Sequence, residues 1–289
     1  MQRADGAMYE PQASGKACVA ILCPNYFVGR MDYLLRLVAC VFASCFAQVA
    51  LACPFSIVYS DQASPPYYLG DGEAIPANPG IAVELVTLAA AKMGCKIEWK
   101  RLPNRRALRE LESGPSHAML LLSYSPERAA YAAYPMLGDV PDPAYSHATL
   151  SYSVYVKSGS TVKWENRQFS PAQALVGANA GYSAADEARK LGLSVEEAST
   201  TANNLQKLQM GRIAAYVGQD LQVDLVIEDR QLTGVQKLPV PFSSKDYYLP
   251  FSKQFFDKSP AAATQLWKQI AEARKTHGKA LAKKYLDLY

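Results

Sequence analysis

Histidine is scarce in this chain: three residues in 289, His117, His147 and His277, far apart and at no ligand spacing. That leaves little material for a histidine-based triad or a histidine-rich metal site. The sequence also holds no G-x-S-x-G, no H-E-x-x-H, no phosphate-cradling glycine loop and no close carboxylate pair with a defined partner. Of six cysteines, Cys18, Cys23, Cys40 and Cys45 lie in the first 52 residues, which leaves Cys53 and Cys95 and no C-x-x-C. Charge of one sign is not concentrated either. Lys and Arg number 30 against 26 Asp and Glu, a net +4 with no dense basic run, so nucleic acid is not an expected partner. Metal and cofactor are likewise not expected.

No apolar run reaches the length of a comfortable membrane span. The longest, Leu37–Ala52, follows a short basic flank (Arg30 to Arg36) and ends in Ala50-Leu51-Ala52, an A-x-A cleavage pattern. Residues 31–52 are therefore expected to be a signal peptide, with the mature protein in the periplasm. Residues 1–30 lack this logic and are expected to be an unstructured leader or a start-site artefact, with translation beginning at Met31. Cys53, directly after the cleavage point, leaves lipidation open as a second fate.

From there the pattern is α/β. Phe55–Tyr59 reads as a strand, and Ser60–Tyr68 as a loop stiffened by Pro65 and Pro66. Ile81–Met93 carries a helical apolar stripe closed by Gly94, and Lys96–Lys100 alternates as a second strand. A strand–helix–strand unit of this length implies parallel pairing. Cys53 and Cys95 each stand just ahead of one of those strands. Parallel neighbours lie about 4.8 Å apart, within disulfide reach, so the two are expected to pair; free thiols or a lipidated Cys53 are the alternatives.

The candidate site is Ser123-Tyr-Ser-Pro-Glu-Arg128, after the apolar run Ala118–Leu122. Pro126 and Glu127 suit a helix's first turn, so Ser123, Ser125, backbone N–H groups and the Arg128 guanidinium converge on an anion site fitted to a carboxylate. A second basic spot follows Leu102-Pro103. Asn104 is expected to cap a helix opening at Arg105, which puts Arg106 in the first turn as a second anion contact. His117, at a helix–strand turn, reads as structural.

Tyr145–Val156 is a long strand expected to cross into a second lobe. Strand Ala174–Ala178 leads to Gly181-Tyr182-Ser183, which opens the helix Ala184–Leu191 across a cleft from the first loop. Thr200–Met210 is helical, Gly211–Val217 is turn then strand, and Val235–Pro241 is a strand. Tyr247–Phe251 returns to the first lobe, which the helices Ala261–Arg274 and Lys279–Leu286 close.

Leu121 to Arg128, followed by Tyr131, Tyr134 and Pro135, resembles the "S-x-T-x-x-R … F-S-x-P" segment of the periplasmic solute-binding proteins of the amino-acid type, extracellular solute-binding family 3. Pro79-Gly80-Ile-Ala-Val-Glu84-Leu85 resembles that family's "G-F-D-V-D-L", and Pro65-Pro66-Tyr67 its "Y-x-P-F" loop. Gly211-Arg212 onward resembles "G-R-x-D-A-x-x-x-D". The resemblance implies a type II fold: two α/β lobes, each a mostly parallel sheet flanked by helices, joined by two crossover strands. The first lobe would comprise 53–152 and 247–289, the second 153–246. It implies that Arg128 clamps a ligand carboxylate, with Tyr182 and Ser183 closing from the second lobe. Ser64 replaces the usual stacking aromatic, a role Tyr67 or Tyr68 would take over. Gln219 replaces the Asp that pairs with a ligand ammonium; Asp220 stands one place on, and Gln219 itself would suit a ligand without that group. The implied role is a monomeric, non-enzymatic receptor that captures an amino acid or organic acid by hinge closure. It would deliver this solute to an inner-membrane ABC permease. A periplasmic sensor without a transporter, or a small-acid dehydratase on the same fold, are the alternatives.

Overall fold

The first strand, β1 (Pro54–Ser60), is built from residues that bury on both sides, Phe55, Ile57, Val58 and Tyr59 among them. We describe residues 53–288 of the chain from a computed structural model; the expected leader and signal peptide lie outside the described residues. Helix α1 (Ile81–Lys92) follows and buries Ala82, Val83, Leu85, Val86, Ala89 and Ala90. Its start demands Gly80, whose φ is 110°; an added Cβ would lie 2.4 Å from the Tyr67 carbonyl oxygen. That close approach lets the first helical N–H groups donate to loop carbonyls, Ile81 N to Pro66 O (3.0 Å) and Ala82 N to Tyr67 O (2.9 Å). Strand β2 (Lys96–Leu102) pairs with β1 in parallel, Pro54 opposite Lys96. Cys53 and Cys95 accordingly meet in a disulfide with Cα atoms 4.8 Å apart.

The first lobe continues with α2 (Asn104–Ser113), β3 (Ala118–Met119), β4 (Leu122–Ser123), the single-turn helix α3 (Pro126–Ala129) and β5 (Ala132–Ala133). An antiparallel hairpin, β6 (Met136–Leu137) with β7 (Val140–Pro141), leads to the crossover strand β8 (Ala148–Lys157). That strand begins three residues later than its alternation predicts. Pro143–Tyr145 winds instead into a 3-10 turn, in which the Asp142 carboxylate accepts from Ala144 N at 2.9 Å.

The second lobe comprises the hairpin β9 (Lys163–Glu165) and β10 (Gln168–Ser170), then β11 (Val176–Asn179), α4 (Ser183–Lys190), β12 (Val195–Ala198), α5 (Thr201–Gln209), β13 (Ala215–Gln219), α6 (Asp220–Asp229) and β14 (Val235–Lys237). Strand β15 (Ser243–Tyr248) returns to β16 (Phe251–Ser252), α7 (Lys253–Lys258) and α8 (Pro260–Leu286).

Two sheets result, in the orders β2-β1-β3-β16-β5 and β12-β11-β13-β8-β15-β4. In each the first three strands are parallel and the remainder pair antiparallel. The parallel character stops where strands arrive from the other lobe, because a crossover enters the sheet from its opposite end. The last pairing, β15 with β4, sets Tyr247 opposite Ser123. A crossover strand thus carries the second sheet directly onto the loop of the candidate site.

Helix α8 differs from the two helices expected around Gly278. It runs unbroken, because an added Cβ at Gly278 would meet only Arg274 Cγ at 3.7 Å and the turn there is uncrowded. A mid-helix glycine costs roughly 1 kcal/mol, and the helix's burial of Leu281 and Tyr285 beyond it outweighs that. Both Lys284 and Tyr285 also bond the Glu84 carboxylate on α1. Phe251 stacks on Phe255 at 5.2 Å and meets Trp267 at 5.5 Å, so the C-terminal helices seal the first core. His117 is structural: its Nδ1 accepts from Ser56 N at 3.2 Å, its ring stacks on Phe255, and burial pushes its pKa down.

The disulfide closes a loop of 42 residues' separation. In the chain-entropy account, Cys95→Ser removes about 4 kcal/mol of stability. Urea unfolding of the variant, and of the wild-type with and without reductant, measures this; equal midpoints throughout would show that the bridge is dispensable.

Candidate functional site

The loop between β4 and α3 is shaped by its own sequence. Ser125 caps the short helix, its Oγ accepting from Arg128 N at 3.3 Å, and Pro126 occupies the first helical position. Leu121, just upstream, adopts a φ of 53°, a conformation that costs a branched residue on the order of 1–3 kcal/mol. The result folds Arg128 inward until it is only 6% exposed. Its Nη1 donates to Ser123 O (3.0 Å) and Ser123 Oγ (2.8 Å), and its Nη2 to Gly181 O (3.1 Å) in the second lobe. Among the described residues, no Asp or Glu lies within ion-pair distance of this guanidinium. A buried cation surrounded only by neutral acceptors is costly to hold, and it marks a place for an anion.

The second lobe supplies Gly181-Tyr182-Ser183, where β11 hands over to α4. Tyr182, not a serine hydroxyl, occupies the cap position, and Ser183 is the first helical residue. Ser123 Oγ donates to Ser183 Oγ at 3.1 Å, and Lys245 Nζ on β15 reaches the same oxygen at 3.0 Å. Lys245 is itself neutralised by Glu187 at 2.6 Å. Four tyrosines close around this point: Tyr68, Tyr152, Tyr182 and Tyr247. The hydroxyls of Tyr152 and Tyr247 are 2.6 Å apart, and the Tyr182 hydroxyl is buried beside Tyr68, Asn179 and Gln222. Burial pushes all four pKa values up, so these phenols are neutral at physiological pH.

These groups enclose a cavity of about 30 Å³, lined also by Ser64, Leu121, Leu150 and Gln219. It has room for water but not for a metabolite. The lobes are closed on one another: Arg105 pairs with Glu197 (2.8 Å), Lys190 with Glu127 (2.7 Å), and Gln222 Nε2 donates to Ala63 O (2.5 Å). Burial would raise the Glu197 pKa, but Arg189, Arg105 and the Gly181 N–H together hold it below the usual carboxylate range. A larger groove of about 1020 Å³ runs outside this latch, lined by Gln62, Asn104, Thr200 and Gln222 and by the acids Asp61, Asp71, Glu228 and Asp229. We place the site at the smaller cavity, because the guanidinium without an ion-pair partner lines it.

Of the residues singled out from sequence, Arg128, Ser123, Tyr68, Tyr182, Ser183 and Gln219 line this one cavity or touch its groups. Ser125 acts through the backbone as a cap. Arg106 is exposed on α2 and does not reach the cavity, and Tyr67 is half-buried outside it. Asn104 does not cap its helix; Pro103 holds that position, and the Asn104 amide turns toward Ala180 O at 3.5 Å. Asp220 spends its carboxylate on Leu221 N at 2.7 Å. Lys245, Tyr152 and Tyr247 escaped the sequence reading, since they become neighbours only once β8 and β15 pair. The one available signal was the alternation in Ser243–Tyr248, which sends Lys245 and Tyr247 to the same face.

No protein-family model matches the chain, and no curated protein sequence matches it. Solved structures do. A histidine kinase sensor domain with similarity to periplasmic binding proteins superposes with a TM-score of 0.62 at 19% identity, covering 81% of this chain and 97% of its own. A mutant of ArgBP from T. maritima gives 0.60 at 15% identity, covering 81% and 95%. The L-arginine-bound amino acid ABC transporter substrate-binding protein AbpA from Streptococcus pneumoniae gives 0.59 at 15%, covering 81% and 93%. At such identities the likeness is one of fold, and the chain has the two-lobe α/β fold of the periplasmic binding proteins.

Proposed function

We propose that the chain is a binding protein that captures a small carboxylate-bearing solute between its lobes by hinge closure and delivers it to an ABC-type permease. The observation that carries this reading is the Arg128 guanidinium, buried where the lobes meet and donating only to neutral oxygens. A carboxylate is a stronger acceptor than the carbonyls that now occupy it, and it matches the fork geometry of the guanidinium. Ser123 and Ser183 stand beside it from opposite lobes, so an anion held there favours the closed state by its differential contacts. The cavity is too small for any solute while the lobes are closed, so capture begins from an open form in which Arg128 has released Gly181.

The Cys53–Cys95 disulfide supports an oxidising compartment and thus the periplasm. The likeness to a sensor domain supports a second reading, in which the same capture event signals to a partner instead of feeding a permease. The two readings share the ligand chemistry and differ only in what the closed form meets.

Two variants test the capture mechanism. Arg128→Ala keeps the fold, judged by circular dichroism, and weakens carboxylate binding by about 2–5 kcal/mol. Arg106→Ala, on the exposed face of α2, changes it by less than about 0.5 kcal/mol. A carboxylate whose affinity survives Arg128→Ala would remove the proposal. Gly181→Ala acts on closure itself. Gly181 has a φ of 76°, and an added Cβ would lie 3.0 Å from Asn104 Nδ2 and 3.3 Å from Leu108 Cδ1 in the facing lobe. It is expected to destabilise the closed form by about 1–3 kcal/mol, seen as a larger radius of gyration by small-angle scattering. An unchanged scattering curve would show that this contact does not control closure.

A further inference from the structure

The cavity has one charged lining residue, Arg128, and no acid. Of the carboxylates outside the lining, Glu187 neutralises Lys245 and Glu197 is held by Arg105 and Arg189, while Asp220 accepts from Leu221 N and from the Gln219 amide. Gln219 lines the cavity at 3% exposure, and its orientation is fixed. Its Oε1 accepts from Gln222 N at 3.1 Å to cap α6, so the Nε2 amide group, whose nearest acceptor is Asp220 Oδ1 at 3.5 Å, is the end left for a ligand. That end is a donor, and it offers nothing to another donor.

We propose that the captured acid carries no ammonium group on its α-carbon; the site selects a carboxylic acid with a neutral hydroxyl or carbonyl there instead. This rests on the carboxylate reading of Arg128. An α-ammonium sits one carbon from the carboxylate, so a ligand clamped by Arg128 must place it beside the same lining residues. There it adds a second cation beside a guanidinium whose charge the carboxylate has only just balanced. No counter-charge lines the cavity, and an unpaired buried charge works against the ligand that brings it. The acids Asp61, Asp71, Glu228 and Asp229 line the outer groove, where they meet only a distal group. A hydroxyl or carbonyl fits the same position. The Gln219 amide donates to either, and the Tyr182 hydroxyl on the same lining can donate or accept.

Calorimetric titration with matched triplets tests this: alanine, lactate and pyruvate; phenylalanine, phenyllactate and phenylpyruvate; glutamate, 2-hydroxyglutarate and 2-oxoglutarate. In any triplet that binds, the hydroxy or oxo acid is expected to bind at least about a hundredfold more tightly than the amino acid, and Arg128→Ala abolishes that binding. Gln219→Asp keeps a good helix cap while adding a carboxylate; it should swing the preference at least tenfold toward the amino acid. An amino acid bound as tightly as both its analogues, and lost in Arg128→Ala, overturns this inference while the carboxylate reading stands. Titrations in which nothing binds, or in which binding survives Arg128→Ala, overturn the carboxylate reading and this inference with it.

Discussion

Arg128 is held almost out of bulk water, by Ser123 from its own lobe and by the Gly181 carbonyl from the other. Taking a cation out of water is repaid only by good acceptors and, best of all, by a charge. Much of the surrounding architecture serves to make that burial possible. Strand β15 runs from the second lobe to pair with β4, which fixes Ser123 against Tyr247 and so fixes the acceptors of the guanidinium. Tyr134, whose hydroxyl donates to the same Ser123 carbonyl, buttresses it from behind.

The wall opposite Arg128 comes from the loop after β1, and its placement depends on residues remote from any ligand. Arg101 is 2% exposed, lies 5.1 Å over the Tyr59 ring, and donates to Ala74 O at 2.8 Å and to Gly70 O. It therefore ties the polar segment 70–74 to β2. The Gly80 approach to Tyr67 ties the aromatic segment to α1. Between those two anchors Ser64 and Tyr68 pair through their backbones, Ser64 N to Tyr68 O at 2.9 Å, and Tyr68 is delivered to the cavity. This arginine does scaffold work with neutral oxygens alone, as Arg128 does; the difference is that Arg101 joins parts of one lobe and Arg128 joins two lobes.

What the sequence made legible were features encoded locally. The Ser123–Arg128 loop is a strand end, a proline and a capping serine in succession, and the Cys53–Cys95 pair follows from one strand–helix–strand unit. Features that depend on distant pairing were hidden. Lys245 reaches Ser183 only because β15 lies between β8 and β4, and nothing near Lys245 in the chain announces that. Gly278 looked like a helix stop because glycine is a poor helix former, yet burial of Tyr285 overrides propensity. Asn104 looked like a cap by type, but Pro103 precedes it and its amide faces the other lobe. Arg106 had the residue type of an anion contact without the orientation, which only the helix's docking decides.

The closed form also bears on how strongly a solute is held. The lobes meet through two kinds of contact. Arg105–Glu197 joins an exposed cation, 61% exposed, to a carboxylate only 11% exposed, whereas Glu127–Lys190 is exposed on both sides; a pair of the second kind contributes roughly 0–1 kcal/mol and weakens with salt. They form here without a solute, so they favour closure by themselves. The Arg128–Gly181 and Ser123–Ser183 contacts are buried and occupy the very groups a carboxylate would use. A solute therefore replaces these contacts instead of adding to them, and its net gain is the difference between a carboxylate and a carbonyl at the guanidinium. On that reading affinity would turn on charge placed in a small, largely buried cavity more than on the number of contacts. On the proposed reading, a single uncharged residue such as Gln219, standing where a carboxylate would change the balance of charge, would weigh heavily in what the cavity accepts.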